Sequence, residues 1–284
     1  MPAISPSAQP SQPIDVDRLA SLVGTGLAEK LEVLDSIDST NTALIQRAKA
    51  GSLPDFTVLT AEEQTAGQGR LARSWQSPKH TSLATSFYLE PEHHDFSWIV
   101  LLLAEAAVSA ARAHGVPAAI KWPNDVIAVD TAAEAAGTVV KLGGVLAQLL
   151  SPTQLVVGIG LNVLATPVLP EPASAPTQPA SFADFIQQPD RTEILAALIT
   201  NFWDNYRGFA QAEQLGSGER WARQKVTATM STLGQAVTVT PASGQPFRGR
   251  ATGLGPQAEL IVEAADGTHT LTSADITHLR PAGN

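Results

Sequence analysis

Residues 65–75 spell TAGQGRLARSW and bring glycines, guanidiniums and an indole together in one short stretch. Glycine lets backbone amides approach an anion closely, and the planar guanidinium donates paired hydrogen bonds to a carboxylate or phosphate. The alternative is a surface loop whose arginines pair with Glu62 and Glu63. If the stretch binds an anion, the candidate residues are Gly67, Gly69, Arg70, Arg73 and Trp75.

The letters from Gly67 to Ala72 also match the G-x-G-x-x-A fingerprint of dinucleotide-binding folds. That fingerprint requires a strand directly before the loop and a helix directly after it. Here a polar segment precedes the glycines, and Pro78 interrupts the residues that follow, so the context excludes a dinucleotide site. A G-x-x-x-x-G-K-[ST] pattern is also missing from the sequence, which excludes a P-loop.

Two other motifs carry polar groups that could meet the same anion. In KWPND (residues 121–125), Lys121 ends a run of small apolar residues, which favours a buried stem and an ammonium directed at one point. An ordinary hairpin turn with an exposed lysine is the alternative interpretation. SerThrAsn at 39–41 precedes a helical segment, where hydroxyls cap the helix and its N-terminus also attracts anions.

Hydrophobic patterning indicates the elements that position these motifs. Helical patterns cover residues 15–29, 42–50, 98–114 and the segment that follows Asp190 and Glu193, a capping-box pair. Strand patterns cover residues 31–37, 56–60, 81–89, 118–121, 125–129, 139–150 and 154–163. Glycines at 143, 144, 158 and 160 interrupt two of these strands, which is tolerated where a ligand or another backbone lies close.

Composition limits the class of protein. The chain has 284 residues, a formal net charge of −9 and no cysteine. The absence of cysteine excludes disulfides, thiolate metal sites and a cysteine nucleophile, and the acidic balance argues against general nucleic-acid binding. The N-terminus lacks the pattern of a secretion signal, and the apolar run at 98–114 is too short and too charged to span a bilayer. A cytoplasmic protein without a membrane partner is expected.

The pattern changes near residue 233, where short alternating segments separated by Gly, Ser and Asp turns predict a small β-barrel. The predicted organisation is a disordered tail at 1–13, an α+β domain at 14–228 and a barrel at 229–284. A Pro- and Ala-rich exposed loop is predicted at 165–181.

The motifs, taken in order and spacing, resemble those of the biotin protein ligases. They are SerThrAsn at 39–41, QTAGQGRLARSWQSP from 64, KWPND from 121, KLGGVLAQ from 141 and GIGLNV from 158. The match covers roughly residues 35–165, and the segment ending in ITHLR resembles the SH3-like barrel of that family. The resemblance implies an α+β fold, in which a mixed β-sheet with helices like the catalytic domain of class II aminoacyl-tRNA synthetases precedes the barrel.

The resemblance also implies an activity. Members of the family activate biotin with ATP as biotinyl-5'-AMP and transfer it to a lysine of the biotin carboxyl carrier domain of biotin-dependent carboxylases, and Mg²⁺ is expected to neutralise the phosphates. Too few residues precede the first motif for the winged helix-turn-helix of the repressor members, so DNA binding is not expected. A monomer or a homodimer is compatible with the resemblance. A biotin or nucleotide sensor without turnover, and a lipoate or octanoyl transferase of the same fold, are the alternatives.

Residue roles transfer from the family by position in the motifs. The implied catalytic residues are Arg70, Arg73 and Lys121. The implied biotin-binding residues are Ser39, Thr40, Asn41, Gln64, Gly67, Gln68, Gly69, Arg70, Lys121, Gly143 and Gly144. The implied nucleotide-binding residues are Arg70, Arg73, Trp75, Lys121, Asn124 and Asn162, and no metal ligand is assigned.

The sequence departs from the family pattern at four positions. Gln68, Leu71 and Ala72 replace two arginines and a glycine of Gly-Arg-Gly-Arg-Arg-Gly-Arg. We therefore expect a less basic loop that orders more weakly over its ligand but retains activity, because Arg70 and Arg73 remain. Gln148 stands where an acidic residue is usual, which leaves the metal or ribose role of that position open.

Overall fold

The computed structural model of the chain describes residues 12–70, 74–91, 96–129, 139–167, 177–241, 244–272 and 274–278. It contains an eight-stranded sheet, a five-stranded sheet and a two-stranded hairpin. The helices are α1 (Val16–Val23), α2 (Thr25–Ala28), α3 (Thr40–Ala50), α4 (Ser97–Ala113), α5 (Arg191–Gln214) and α6 (Gly218–Thr227), and a 3₁₀ helix spans Phe182–Asp184.

The strands account for both sheets and the hairpin. They are β1 (Leu31–Leu34), β2 (Thr57–Ala61), β3 (Gln64–Gln68), β4 (Ser74–Ser77), β5 (Ser82–Leu89), β6 (Ala118–Lys121), β7 (Asp125–Val129), β8 (Val139–Ser151), β9 (Gln154–Asn162), β10 (Gln178–Pro179), β11 (Ala236–Pro241), β12 (Phe247–Leu254), β13 (Leu260–Ala264), β14 (Gly267–Leu271) and β15 (Ala274–His278).

The large sheet is mixed, as the resemblance implied. Its order is β1-β2-β5-β9-β8-β7-β6, with β10 paired to β8. The pairs β1–β2 and β10–β8 are parallel, and the other neighbours are antiparallel. The parallel β10 segment brings the end of the Pro-rich loop against Val140 and Lys141 of β8.

The two faces of this sheet are covered differently. Alternate residues of a strand point to opposite faces, so β9 sends Leu155, Val157, Ile159 and Leu161 into the core that α4 and α5 share. On the other face Val156 packs in a smaller cluster with Ala43 and Leu44 of α3. The next two residues of β9 on that face are Gly158 and Gly160, so the backbone there carries no side chain of its own.

Several predicted elements differ in detail from the observed ones. The helix predicted at 15–29 is divided into α1 and α2 by Gly24, whose φ of +81° is a conformation that glycine adopts readily. Asp190 caps α5 by accepting from the backbone N–H groups of Thr192 and Glu193 at 2.8 and 3.1 Å. The carboxylate of Glu193 contacts the Arg18 guanidinium instead of closing a capping box.

The glycine-rich stretch is partly a hairpin rather than a free loop. Gly67 and Gln68 belong to β3, which pairs antiparallel with β4, and Gly67 lies opposite Trp75. A strand therefore follows the glycines where a dinucleotide fingerprint would need a helix, and the exclusion of that fold is confirmed. Residues 71–73, which include Arg73, lie outside the described part of the chain.

The C-terminal strands form a separate antiparallel sheet in the order β14-β13-β12-β11-β15, consistent with an SH3-like domain. Two tryptophans of the larger domain hold it. The indole N–H of Trp98 donates to Pro256 O, and that of Trp122 donates to Ala258 O, each at 2.9 Å. Among the described residues, no helix combines the length and the apolar character needed to cross a membrane.

Candidate active site

On the face of the large sheet opposite α4, the glycines at 144, 158 and 160 leave part of the backbone without side chains of its own. Residues that pair directly across antiparallel strands have side chains on the same face, so the register gives the composition of this surface. One row runs through Lys121, Asp125, Gly144, Gly160 and Ala84. The next row runs through Leu146, Gly158 and Ser86, and we call the surface formed by both rows the glycine face.

Side chains from other elements fill the space that side chains at the two glycines of β9 would occupy. A Cβ at Gly158 would lie 2.1 Å from Asn41 Oδ1, so the Asn41 amide lies directly on this backbone. A Cβ at Gly160 would lie 2.3–2.5 Å from three atoms of the Trp75 indole. The strand pattern predicted a ligand or another backbone close to these glycines, whereas in the structure the side chains of Asn41 and Trp75 lie there.

Gly160→Ala is expected to displace the Trp75 indole, because the added methyl occupies its position. We expect a loss of about 1–3 kcal/mol in the free energy of unfolding. The ¹⁹F resonance of 5-fluorotryptophan at position 75, identified from Trp75→Phe, should move toward its solvent-exposed value. Gly253→Ala is the matched control, because a Cβ there is 3.9 Å from its nearest neighbour, Ile261 Cδ1. An unchanged Trp75 resonance in Gly160→Ala would contradict this packing.

The SerThrAsn motif and Gln64 meet at one end of the glycine face. Ser39 caps α3 by accepting from Thr42 N at 3.4 Å, and Thr40 and Asn41 occupy the first turn. Gln64 Oε1 accepts from Thr40 N at 2.8 Å and lies 3.0 Å from Thr40 Oγ1. The structure therefore brings these four predicted residues together in a polar cluster, in which Ser39, Thr40 and Asn41 are buried and Gln64 is half-buried.

The cationic end of the glycine face contains two lysines. Lys121 is 5% exposed, and its ammonium donates to Thr177 Oγ1 at 2.8 Å. Lys141, with 31% of its side chain exposed, lies 2.5 Å from Asp125 Oδ1. A Cβ at Gly144 would be 3.4 Å from Lys141 Nζ, which places this second ammonium on the bare backbone itself. Positive charge therefore collects where a ligand anion could lie on the sheet.

The hairpin contacts the KWPND turn through two predicted residues. Arg70 Nη1 donates to Asn124 Oδ1 at 2.9 Å, and Asn124 Nδ2 donates to Val145 O at 2.8 Å. The same residues border an open cleft of about 730 Å³. Other parts of its wall come from Gln68, Gly69, the β8 segment 145–148 and Gln257 of the turn between β12 and β13.

Other predicted residues take positions away from the open surface. Asn162 is 2% exposed and donates to Ala180 O at 2.9 Å, which ties β9 to the end of the Pro-rich loop. Gly143 pairs with Leu161 and thus belongs to the α4 side, where a Cβ would lie 2.2 Å from Gly160 O. Gly67 allows the hairpin strands to approach, since a Cβ would lie 2.5 Å from Trp75 O.

Three contributing residues were not among the sequence candidates. Lys141 is the one charged residue in KLGGVLAQ and stands beside the double glycine, a signal that could have identified it. Ser86, fully buried, lies within hydrogen-bonding distance of both Thr40 and Asn41. It could not be found from sequence, because a serine in a strand carries no local signal. Trp122 proved to hold the C-terminal sheet.

The fold and the site define a class of two-domain protein in which cationic groups and a capped helix surround the glycine face of a sheet. Such a surface suits a small anionic ligand. Family models agree with this description. The model of the Biotin/lipoate A/B protein ligase family matches residues 33–162, and that of the Biotin protein ligase C terminal domain matches residues 232–279.

Individual proteins support the same assignment. The Biotin--[acetyl-CoA-carboxylase] ligase of Mycobacterium tuberculosis is 31% identical over 91% of this chain and 93% of its own length. The Bifunctional ligase/repressor BirA of Bacillus subtilis is 27% identical over 85% of this chain and 72% of its own. A solved biotin protein ligase from Aquifex aeolicus, in complex with biotin and ATP, has 27% identity and a TM-score of 0.69 over 88% of this chain and 99% of its own. The chain belongs to the biotin protein ligase family.

Proposed function

We propose that the chain is an ATP-dependent ligase that activates biotin as biotinyl-5'-AMP and transfers the biotinyl group to a lysine of a biotin carboxyl carrier domain. In the first step a biotin carboxylate oxygen bonds to the α-phosphorus of ATP, and pyrophosphate leaves. In the second step the acceptor amine bonds to the acyl carbon, the C–O bond to the phosphate breaks, and AMP leaves with that electron pair. The amine loses its proton.

The observation that carries the proposal is that neutral polar groups and cationic groups lie at opposite ends of the glycine face. The neutral hydrogen-bonding cluster of Thr40, Asn41 and Gln64 lies at one end of the glycine face. The ammonium groups of Lys121 and Lys141 lie at the other end, with Gly144 and Gly160 between and the Trp75 indole packed on Gly160. A ligand with a neutral polar head, an apolar chain and a terminal carboxylate fits this order, and biotin has it.

The cationic groups around the KWPND turn are proposed to bind the negatively charged part of the ligand. Arg70 and Lys121 keep the roles that the motifs imply, and Lys141 is added because of its place on the bare backbone. Fixed positive charges stabilise the negative charge that builds on the phosphate in the transition state. Arg73 and Trp75 keep their proposed roles in nucleotide binding. The hydrogen bond from Arg70 to Asn124 connects the hairpin to the KWPND turn.

Magnesium is proposed to enter with ATP as the substrate complex. No group of three His, Cys, Asp or Glu side chains suited to a metal occurs in the described ranges of the chain. Asp125 and the Asn124 amide supply oxygen atoms beside the cationic groups, which suits a metal that keeps most of its water and phosphate ligands. The chain's own residues thus orient the phosphates and leave charge neutralisation of the β and γ groups to the nucleotide's ion.

The remaining assignments follow the same reaction. The proposed acceptor is the carrier domain of an acetyl-CoA or acyl-CoA carboxylase, met in the cytoplasm where such carboxylases and ATP occur together. We also propose the division into domains at 14–228 and 229–284. Its support is that α6 ends at Thr227 and that the C-terminal family model begins at residue 232.

ATP–pyrophosphate exchange tests the first half-reaction directly. Exchange is expected with biotin and not with lipoate or octanoate, because the polar cluster suits a head group with hydrogen-bonding atoms. The lipoate arm is needed because one matching family model includes both kinds of ligase. Exchange with lipoate alone would move the chain to the sister enzymes. Biotin binding without any exchange would favour a sensor.

A further inference from the structure

The end of the Pro-rich loop reaches the cationic end of the glycine face. Thr177 Oγ1 accepts a hydrogen bond from Lys121 Nζ at 2.8 Å, although the two residues are 56 positions apart in the sequence. Lys121 is 5% exposed, so its ammonium needs acceptors within the protein, because the transfer of a charge out of water is otherwise costly. Thr177 provides one of these acceptors.

The backbone next to Thr177 is fixed on the large sheet. The strand β10 begins at the following residue and pairs parallel with β8. Ala180 N donates to Lys141 O at 2.8 Å, and Asn162 Nδ2 donates to Ala180 O at 2.9 Å. The Thr177 hydroxyl is therefore presented from a segment that bonds to both β8 and β9, and its position is tied to the strands that carry the site.

A lysine ammonium depends on its surroundings for a defined position. The four-carbon stem rotates about several bonds, and the three N–H donors turn toward the acceptors around them. A carboxylate acceptor would hold the ammonium but would also repel a ligand phosphate, as the Asp125 carboxylate beside Lys141 would. The Thr177 hydroxyl accepts a hydrogen bond and carries no charge, so it can hold Lys121 without that repulsion.

We propose that Thr177 is a positioning residue that holds the Lys121 ammonium where negative charge builds on the α-phosphate during adenylation. The inference rests on the proposed function, in which Lys121 belongs to the cationic groups at that phosphate. Donors that are already in place stabilise such charge without reorienting, and a misplacement of about 1 Å can lower a rate about 100-fold. Loss of the Thr177 hydroxyl should thus affect kcat more than KM, because this charge develops in the transition state.

Three variants separate the hydroxyl contact from the shape of the side chain and from the anchoring of the loop. Thr177→Val keeps the branched shape and removes the acceptor, whereas Thr177→Ser keeps the acceptor. Thr166→Val is the matched control, because Thr166 lies at the other end of the Pro-rich loop and donates to Asp184 Oδ2 at 2.7 Å, a contact that does not involve Lys121. ATP–pyrophosphate exchange on the full chain, with biotin and ATP varied in turn, gives kcat and both KM values, and thermal unfolding shows that each variant is folded.

Thr177→Val is expected to lower the kcat of exchange about tenfold and to leave both KM values within about threefold of the unmodified chain. Thr177→Ser and Thr166→Val should keep kcat within about threefold. Unchanged kcat in Thr177→Val would overturn the inference, as would equal losses in Thr177→Val and Thr177→Ser. A loss of the same size in Thr166→Val would overturn it in favour of loop anchoring. Absence of biotin-dependent exchange in the unmodified chain would instead overturn the proposed function itself, and this inference with it.

Discussion

Lys141→Met is expected to lower the rate of biotin-dependent ATP–pyrophosphate exchange by about 100- to 1,000-fold. The reason is its position, with the ammonium over the bare backbone of Gly144 and 2.5 Å from Asp125 Oδ1. Methionine retains the apolar stem of the lysine, so the fold should persist while the charge is lost. The measurement is exchange at saturating biotin and ATP, with the concentration of folded enzyme set by active-site titration.

The controls for this prediction distinguish the loss of attraction between Lys141 and a phosphate from new repulsion of the phosphate by Asp125. Lys141→Met leaves the Asp125 carboxylate without its partner Lys141 ammonium, and that carboxylate would then repel a phosphate. If repulsion dominated, the double variant with Asp125→Asn would recover most of the rate. Lys225→Met changes an exposed lysine of α6 and should be silent.

The same exchange assay measures the contribution of Lys121 to the reaction. Lys121→Ala is expected to abolish exchange, because its buried ammonium belongs to the same cationic group. Near-normal exchange in Lys121→Ala, with a large loss in Lys141→Met, would contradict a role of Lys121 in adenylation. Lys121 would then have only the structural role of holding Thr177 through its hydrogen bond. Near-normal rates in both variants would exclude this end of the glycine face as the site of adenylation.

Arg191→Met is expected to lower the free energy of unfolding by about 3–5 kcal/mol, the cost of removing one partner of a buried ion pair. Arg191 is 4% exposed and donates to Glu62 Oε2 at 2.7 Å. Its other donors reach Ser82 O at 2.9 and 3.1 Å and Gln12 O at 3.0 Å. The variant would leave the Glu62 carboxylate, also 4% exposed, without its arginine partner.

Urea unfolding of the full chain, followed by circular dichroism, measures this loss. Arg47→Met is the matched control, because the Arg47–Glu32 pair is 39% and 48% exposed and such pairs contribute under about 1 kcal/mol. The hydrogen bond from Arg47 lowers the pKa of the Glu32 carboxyl. The small stabilisation by that pair is thus present above the ordinary carboxyl pKa and is lost as the pH falls through the lowered value.

Two outcomes would contradict the prediction for Arg191. A loss no larger than that of Arg47→Met would mean that the remaining contacts of Glu62, with Ile14 N and His80 Nδ1, compensate for its lost arginine partner. A double variant with Glu62→Gln that is no more stable than Arg191→Met would exclude the stranded carboxylate as the cause. The pair also matters for the site, since Glu62 follows β2 directly and Gln64 begins β3 two residues later.

The motifs were predictable because their chemistry is local. The glycines and Arg70, the KWPND turn and the cap at Ser39 each depend on residues a few positions apart, and hydrophobic periodicity gave the helices and most strands. The order of the motifs gave the family, which the matching models and relatives confirmed. Arg73 stays a prediction, because it lies outside the described residues.

The sequence by itself thus determined the class of fold, the family and most of the candidate residues for the site. The tertiary structure decided which of those groups share a surface, because strand register fixes the face of every side chain and no local signal encodes register between distant strands. Register placed Gly144 and Gly160 side by side, turned Gly143 toward the core and brought Lys141 to the bare backbone. It also set Gln148 against Asn41 across a separation of 107 residues, a contact that only the folded sheet creates.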